Sequence, residues 1–244
     1  MGIAEVCTAC SMFALFLGSS CPSPEPFPVP PLQAPSFTSA TLTVARFDTY
    51  RPAVHLAWSS PHNDSLAVRE FVILQRSQDS AGFSVLVRSI PDTVTGFYDN
   101  IDRFTFPQHW DFYTLEYRIF AIDSLGRAGD TSAIESLSVA WPPTLLWPAT
   151  TDSVRPDSLA WTVFGVEFGY FSYVYLYSDT GGLIWKSPRP DTPTYSSHDN
   201  PDHYVQRLPG SLPLPSGQNY FWAVNVEIPT GQAWSIAVGR FYVR

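Results

Sequence analysis

Two tryptophan–tyrosine pairs recur at a fixed distance in this 244-residue chain. Trp58 lies 59 residues before Tyr117, and Trp161 lies 59 residues before Tyr220, so the second pair follows the first by 103 residues. An internal repeat of this length indicates two copies of one structural unit. Since compact domains commonly hold about 100–150 residues, the repeat predicts two domains.

Around each anchor the sequence alternates with a period of two. Tyr117, Ile119 and Ala121 fall on one face of a strand, and the two glycines within residues 124–129 then mark a chain reversal. Such short strands, separated by turn residues, predict an all-β sandwich in each copy. In the first copy we predict strands at Thr41–Arg46, Ala53–Ser59, Arg69–Arg76, Phe83–Arg88, Thr95–Asp99, Leu115–Asp123 and Ala133–Ala140.

These residues resemble the fibronectin type III family, which has a Trp on its second strand and a Tyr at the start of its sixth. The resemblance covers about residues 36–244. It implies two tandem fibronectin type III-like (immunoglobulin-like) β-sandwiches, at residues 36–141 and 142–244. Strand material resumes directly after the prolines at 142 and 143, so we expect the two domains to meet end to end with limited bending.

A second mark of the family, the tyrosine corner, differs between the copies. Leu214 stands six residues before Tyr220, as the family pattern implies. The first copy has Asp111 at the equivalent position, with Phe112 or Leu115 as alternative anchors of its corner. This fold hosts unrelated roles, so the resemblance implies little about function.

The N-terminal segment, residues 1–21, has the composition of a secretory signal peptide. An apolar run at 12–17 is too short for a membrane span and leads to Gly-Ser-Ser before Cys21. These residues resemble a bacterial lipoprotein box. The resemblance implies export, a lipid on Cys21, and anchoring at the outer membrane or surface of a bacterial cell, because Pro22 follows the cysteine. The alternative is an ordinary signal peptide with an incidental cysteine.

The cysteine count agrees with this interpretation, because all three cysteines lie within the first 21 residues. A chain beginning at Cys21 has no second thiol for a disulfide. Residues 22–35 then hold seven prolines in fourteen positions. Polyproline II rises about 3.1 Å per residue, so this segment predicts a spacer of roughly 40 Å. A proline-rich ligand for a partner is the alternative.

The second copy contains an aromatic strand. Residues 171–177 read F-S-Y-V-Y-L-Y, which places four aromatic residues on one face and Val174 and Leu176 on the other. If the aliphatic face is the core, the aromatic face is available to a sugar or a protein partner. The general tendency of sandwiches favours the opposite, with the tyrosines directed inward. The candidate ligand-binding residues are Tyr173, Tyr175, Tyr177 and Trp185.

Other polar clusters give weaker predictions. The best metal-ligand candidates are His198, Asp199, Asp202 and His203. Pro201 and a loop setting define no ligand geometry, so we expect a solvated loop and no metal or other cofactor. Residues 123–130 match no calcium loop, which favours a simple turn. Asp99, Asp102 and Asp111 are close in sequence, but a small sandwich seldom encloses the cleft that a carboxylate pair needs.

The net charge and the motifs of the chain argue against two further classes of function. The chain has a net charge of −8 and a single lysine, Lys186, which argues against nucleic-acid binding. No nucleophile elbow, phosphate loop or His-Glu-x-x-His motif occurs, so we expect no enzymatic activity. The sequence therefore predicts a non-catalytic cell-envelope lipoprotein, a rigid module for protein–protein assembly. The alternative is a carbohydrate-binding accessory module that binds polysaccharide through the aromatic residues of the second domain.

Overall fold

The alternating segments form β-strands in a computed structural model, which describes residues 32–61, 67–101, 112–149, 152–163, 169–190, 192–194, 202–229 and 233–244. The first eight strands are β1 (Ser36–Arg46), β2 (Tyr50–Ser59), β3 (Val68–Ser77), β4 (Ser84–Pro91), β5 (Gly96–Asn100), β6 (Phe112–Asp123), β7 (Ala128–Thr131) and β8 (Glu135–Ala140). The other seven are β9 (Thr144–Trp147), β10 (Ser158–Val163), β11 (Phe171–Ser178), β12 (Leu183–Lys186), β13 (Asp202–Arg207), β14 (Gln218–Glu227) and β15 (Ala233–Val243). Within these ranges no helical segment has the length and hydropathy of a membrane span.

The same sheet topology occurs twice along the chain. Strands β1, β2 and β5 form one antiparallel sheet, and β4, β3 and β6 form another in which β7 and β8 both pair with β6. The second half repeats this with the orders β9-β10-β13 and β12-β11-β14-β15. The second sheet has four strands in the second half and five in the first, because β7 and β8 there divide the place beside β6 that β15 fills alone. This strand order is that of the fibronectin type III form of the immunoglobulin-like sandwich. The predicted all-β fold class is confirmed.

We call β1–β8 the first sandwich and β9–β15 the second. Strand pairing changes from one set to the other between Ala140 and Thr144. The domain boundary at residues 141 and 142 itself stays a prediction. The signal peptide, Cys21 and most of the proline-rich spacer lie outside the described residues.

The anchor residues of the repeat lie in the two cores. Trp58 and Trp161 are each 3% exposed, and Tyr117 and Tyr220 are 0% and 1% exposed. Trp58 meets Phe71 edge to face, with ring centroids 5.7 Å apart. Apolar burial of this kind stabilises by about 25 cal/mol per Å² removed from water, so the aromatic anchors contribute strongly to each core.

The two tyrosines use different hydrogen-bond acceptors. In the second sandwich the Tyr220 hydroxyl donates to the Pro215 carbonyl at 3.2 Å, which forms the tyrosine corner that the resemblance implies. In the first sandwich the Tyr117 hydroxyl donates to the Asp99 carboxylate at 2.9 Å. Gln75 donates to the same oxygen at 2.7 Å. A buried carboxylate therefore accepts the hydrogen bond for which the second copy uses a backbone carbonyl.

The two sandwiches meet through the last strand of the second one, and the expected end-to-end arrangement stays a prediction. Strand β15 of the second sandwich contacts β1, β2 and β8 of the first. Ile236 of this strand belongs to the first hydrophobic core, while Ala140 belongs to the second. The Ser235 hydroxyl donates to the Trp141 carbonyl at 2.6 Å. Each sandwich thus contributes a buried residue to the hydrophobic core of the other.

The last residues of the predicted spacer pack on the first sandwich. Leu32 is 3% exposed and belongs to the first core. Its carbonyl accepts a hydrogen bond from the Asp130 amide at 3.0 Å, and Gly129 leaves room for this approach because a Cβ there would lie 2.8 Å from the Leu32 Cβ. The spacer is therefore fixed to β7 by residue 32.

Candidate functional site

Strand β11 directs its aliphatic residues inward and its aromatic residues outward. Val174 and Leu176 are 0% exposed and belong to the second core. The interpretation that placed the tyrosines in the core is therefore wrong. That interpretation assumed that large aromatic side chains must pack in the core to be buried. Here neighbouring side chains on the outer face of the sheet cover them instead.

The outward rings stand face to face along the strand. Tyr175 and Tyr177 stack with centroids 6.3 Å apart and planes 18° apart. Tyr50 of the first sandwich continues the stack onto Tyr177, at 4.9 Å and 24°. Between Tyr173 and Tyr175 lies the ammonium of Lys186, whose Nζ is 5.0 Å from both ring centroids. We call Phe171, Tyr173, Tyr175, Tyr177 and Tyr50 the aromatic column.

Two cations lie on this column without carboxylate partners. The Arg189 guanidinium lies 4.1 Å from the Phe171 ring centroid, and Lys186 occupies the gap described above. Both side chains are exposed, and neither has a carboxylate within 4.0 Å among the described residues. A cation over an aromatic face contributes about 0.5–1 kcal/mol at an exposed site. The positive charges are thus held in place by rings and remain available to an external group.

The hydroxyl of Tyr173 is fixed by a hydrogen bond on the same face. It donates to the Glu227 carboxylate at 2.8 Å, and the Asn225 side-chain amide donates to that carboxylate at 3.1 Å. Burial raises the pKa of Tyr173 to about 12, and the bond to Glu227 acts in the same direction. Burial also raises the pKa of Tyr177 to about 12, with the neighbouring phenols adding to it. These phenols stay protonated near neutral pH and can donate hydrogen bonds but cannot act as bases.

The four predicted ligand-binding residues are not all on one surface. Tyr173 and Tyr175 lie on the outer face, but Tyr173 is only 3% exposed. Tyr177 is covered by Tyr50 at the junction. Trp185 pairs with Leu176 across the strands and packs against the second core, so it lies on the opposite face of the sheet. Tyr175 and Tyr177 are both partly exposed on the outer face, and Tyr50 stacks on the ring of Tyr177.

The predicted metal cluster is not assembled in the part of the chain that the structure describes. His198 and Asp199 lie outside that part. Asp202 and His203 are neighbours on β13, where successive side chains point to opposite faces, so they cannot converge on one ion. The Asp202 carboxylate accepts a hydrogen bond from the Tyr170 hydroxyl at 2.9 Å. No group of three metal-ligating side chains occurs among the described residues.

Other carboxylates singled out in the sequence serve the fold. Asp99 binds Tyr117 and Gln75 within the first sandwich, while Asp102 and Asp111 lie outside the described residues. Asp123 accepts bonds from the Leu125 and Arg127 amides, both at 2.9 Å, as well as from the Arg127 guanidinium. These bonds lower the pKa of Asp123, chiefly through the Arg127 amide. Residues 123–127 therefore form a turn held by the Asp123 side chain, as the sequence favoured.

The sequence did not identify Lys186, Arg189, Glu227 and Tyr50 as site residues. A turn at 179–182, with two adjacent glycines, could have indicated the β11–β12 hairpin that pairs Lys186 with Tyr175. Tyr50 reaches the column from more than 120 positions away along the chain. No local pattern signals a contact of that kind.

Comparison with solved structures finds proteins that contain fibronectin type III domains. The FN1-FN3 domains of chicken CNTN1 match with a TM-score of 0.34 and 14% identity, covering 88% of this chain and 67% of that chain. The twitchin kinase region from C. elegans matches with a TM-score of 0.33 and 15% identity. That match covers 52% of this chain, which spans only 21% of the twitchin structure. No protein-family model and no curated protein matches the chain. At this low sequence identity and TM-score, the matched structures give no information about what this chain binds.

Proposed function

We propose that this chain is a non-catalytic protein-binding module in which the two sandwiches act as one rigid unit. The observation that carries the proposal is the aromatic column, whose ring faces are occupied by one another and by cations. Its solvent side therefore offers ring edges, phenol hydroxyls and the charges of Lys186 and Arg189. Tyrosine and arginine with restricted side-chain freedom are typical of the energetic centres of protein interfaces.

The junction supports the rigid part of the proposal. Tyr50 contacts both Tyr177 and Phe221 of the second sandwich, with centroids 4.9 and 5.1 Å apart. A tight turn holds Gly181 against Tyr50, since a Cβ at Gly181 would lie 3.1 Å from the Tyr50 hydroxyl. Together with the shared cores, these contacts oppose bending between the sandwiches. A partner would then meet a surface of fixed shape, at a lower entropy cost than a hinged pair imposes.

The carbohydrate-binding alternative has less support in this geometry. A sugar ring stacks on an open aromatic face, and the large area of such a face provides the affinity. Phe171 and Tyr173 are 9% and 3% exposed and lie under Arg189 and Lys186. Tyr175 and Tyr177 are partly exposed, but Tyr177 is stacked between Tyr175 and Tyr50, so little open ring face remains for a sugar. We therefore expect a protein and not a polysaccharide to bind this surface.

The cellular setting is a further part of the proposal. We place the protein at the bacterial cell envelope, exported by residues 1–21 and anchored through a lipid on Cys21. The support is the sequence pattern of that segment, together with the fixation of Leu32 on β7, which leaves residues 22–31 as the tether. Replacing Cys21 by Ser should move the protein from the membrane fraction to the soluble fraction. Retention in the membrane fraction would contradict lipid anchoring without affecting the binding proposal.

The binding proposal is tested by crosslinking in cells and affinity capture of the full-length protein from its native envelope. The double variant Lys186→Glu/Arg189→Glu reverses both charges on the column. The matched control is Arg155→Glu/Arg207→Glu, which makes the same charge change at two exposed positions outside the column. Wild type and control should capture the same protein partner in stoichiometric amount, and the column variant should lose it while keeping its melting temperature.

Two results would count against the proposal. Equal recovery of every captured protein by all three forms would show that the column is not the binding surface. Capture of envelope polysaccharide without a consistent protein partner would favour the carbohydrate-binding alternative. Circular dichroism of each purified variant establishes that a lost partner does not reflect a lost fold.

A further inference from the structure

The junction of the two sandwiches contains an open cleft of about 220 Å³. One wall is the chain segment that starts β2, and the other wall is the outer face of β14 and β15. The cleft lies at the Tyr50 end of the aromatic column, beyond the region that holds Lys186 and Arg189. Its lining residues are Thr49, Tyr50, Arg51, Phe221, Val238, Gly239 and Arg240.

The floor of the cleft contains apolar side chains beside polar ones. Tyr50 and Phe221 meet with centroids 5.1 Å apart and planes tilted by 56°, and both are at most 9% exposed, so they offer only small parts of their rings to the cleft. Val238 is half-buried, packs against the first core and adds an aliphatic surface. A further apolar group in the cleft would therefore contact Val238 and the exposed parts of these two rings.

The rim of the cleft is positively charged, although the chain as a whole has a net charge of −8. Arg51 and Arg240 are among the lining residues of the cleft, and the guanidinium of Arg46 lies 6.0 Å from the Tyr50 ring centroid. Asp48 forms an ion pair with Arg51 at 3.3 Å and neutralises one of the three. Arg240 is exposed and has no carboxylate within 4.0 Å among the described residues. The cleft therefore combines an apolar floor with uncompensated positive charge.

We propose that this cleft binds a carboxylate carried on an aromatic or other apolar group. The carboxylate is placed against the Arg240 guanidinium, whose planar N–H donors match its two oxygens. The apolar group contacts Val238 and the small exposed parts of Tyr50 and Phe221. A cleft of about 220 Å³ has room for one ring and its acid group.

This site shares Tyr50 with the aromatic column but does not use Lys186 or Arg189, so the column variant and the Arg240 variants test the two proposals independently. A ligand there contacts both sandwiches at once, so its binding free energy adds to the stability of the junction. Two sources share the required chemistry: a free small aromatic acid, and the C-terminal residue of a protein partner.

The test is a titration of the full-length protein with N-acetylphenylalanine, followed by amide chemical shifts and by calorimetry. The neutral control is N-acetylphenylalanine amide, and the anion control is inorganic phosphate. The acid should shift the amides of residues 49–51 and 238–240 saturably, and both controls should bind at least about ten-fold more weakly, since a charge-assisted bidentate contact is lost or the apolar contact is missing.

Three variants locate the site. Arg240→Gln should weaken binding of the acid by about ten-fold or more, and Arg240→Lys should weaken it less, because a charge without the planar fork remains. Arg207→Gln, an exposed arginine on the other sheet, should leave the affinity unchanged. Equal affinity of acid and amide, phosphate binding as tight as the acid, shifts outside the cleft, or an unaffected Arg240→Gln variant would each overturn the proposal.

A further comparison separates the two sources. The peptide Gly-Ser-Gly-Ser-Phe, with a free C-terminal carboxylate, is titrated beside its C-terminal amide. Binding by the free peptide at least as tight as that by N-acetylphenylalanine supports a partner's chain terminus as the ligand. Binding by the small acid alone supports a free aromatic acid.

Discussion

Replacing Tyr50 by alanine should destabilise the whole protein, because this side chain joins the two sandwiches. Tyr50 is 9% exposed and contacts Tyr177 and Phe221. Removing a buried large aromatic side chain typically costs about 3–5 kcal/mol, of which each aromatic pair accounts for about 0.5–1.5 kcal/mol. Since the cleft beside Tyr50 is open to solvent, we expect a loss near the lower end, about 3 kcal/mol.

The loss is measured by urea denaturation followed by circular dichroism and tryptophan fluorescence. For a chain of this size about 1 kcal/mol corresponds to a fall of about 2–4 °C in melting temperature, so the variant should melt roughly 6–12 °C below wild type. A double-mutant cycle with Tyr177→Ala should give a coupling free energy of about 0.5–1.5 kcal/mol.

The matched control is Tyr98→Ala. Tyr98 also stacks on a ring, that of His55 at 4.5 Å, but it is 47% exposed and lies on the outer face of the first sandwich. Its removal should cost less than about 1 kcal/mol. Equal small losses for Tyr50→Ala and Tyr98→Ala, with no coupling between Tyr50 and Tyr177, would refute the assigned role of the junction.

Three further predictions concern turns and buried polar groups. Gly181→Ala should destabilise more than Gly126→Ala in thermal melts: both have positive φ, +102° and +80°, but only at Gly181 would a Cβ meet other atoms within 4 Å. Tyr117→Phe should cost about 1.5–3 kcal/mol and Tyr220→Phe about 0.5–1.5 kcal/mol in urea unfolding, because the first loses a bond to a carboxylate and the second a bond to a carbonyl. The folded state lowers the pKa of Asp123 from 3.8, so its carboxylate stabilises above that pH and the effect is lost as the pH falls below it. The difference in melting temperature between wild type and Asp123→Asn should therefore be full at pH 5 and shrink between pH 4 and 2.

The fold could be predicted because its signals are local and repeated. Trp58 and Tyr117 stand in segments of strict alternation, and the same frame returns at Trp161 and Tyr220. A repeat limits the possible folds more strongly than either segment alone, since both copies must satisfy one topology. The strand order of each half then agreed with the expected sandwich.

The orientation of β11 could not be predicted from its own residues, because both of its faces are apolar. Val174 and Leu176 are inside only because the other sheet of the sandwich lies there, and the tyrosines are tolerated outside because Tyr50 and two cations cover them. The contact between the two sandwiches is made by β15 with β1 and β2, and these strands are distant from β15 in the sequence. Contacts between distant segments of this kind leave no periodic pattern.

Backbone residual dipolar couplings show whether the two sandwiches tumble as one rigid body. Amides of β1–β8 and β9–β15 are fitted separately to the structure, and the two alignment tensors are compared. If the shared cores and the Tyr50 stack hold the sandwiches as one body, both sets will give the same tensor in magnitude and direction. Tensors of different magnitude would mean that the sandwiches move independently, which contradicts the rigid binding module.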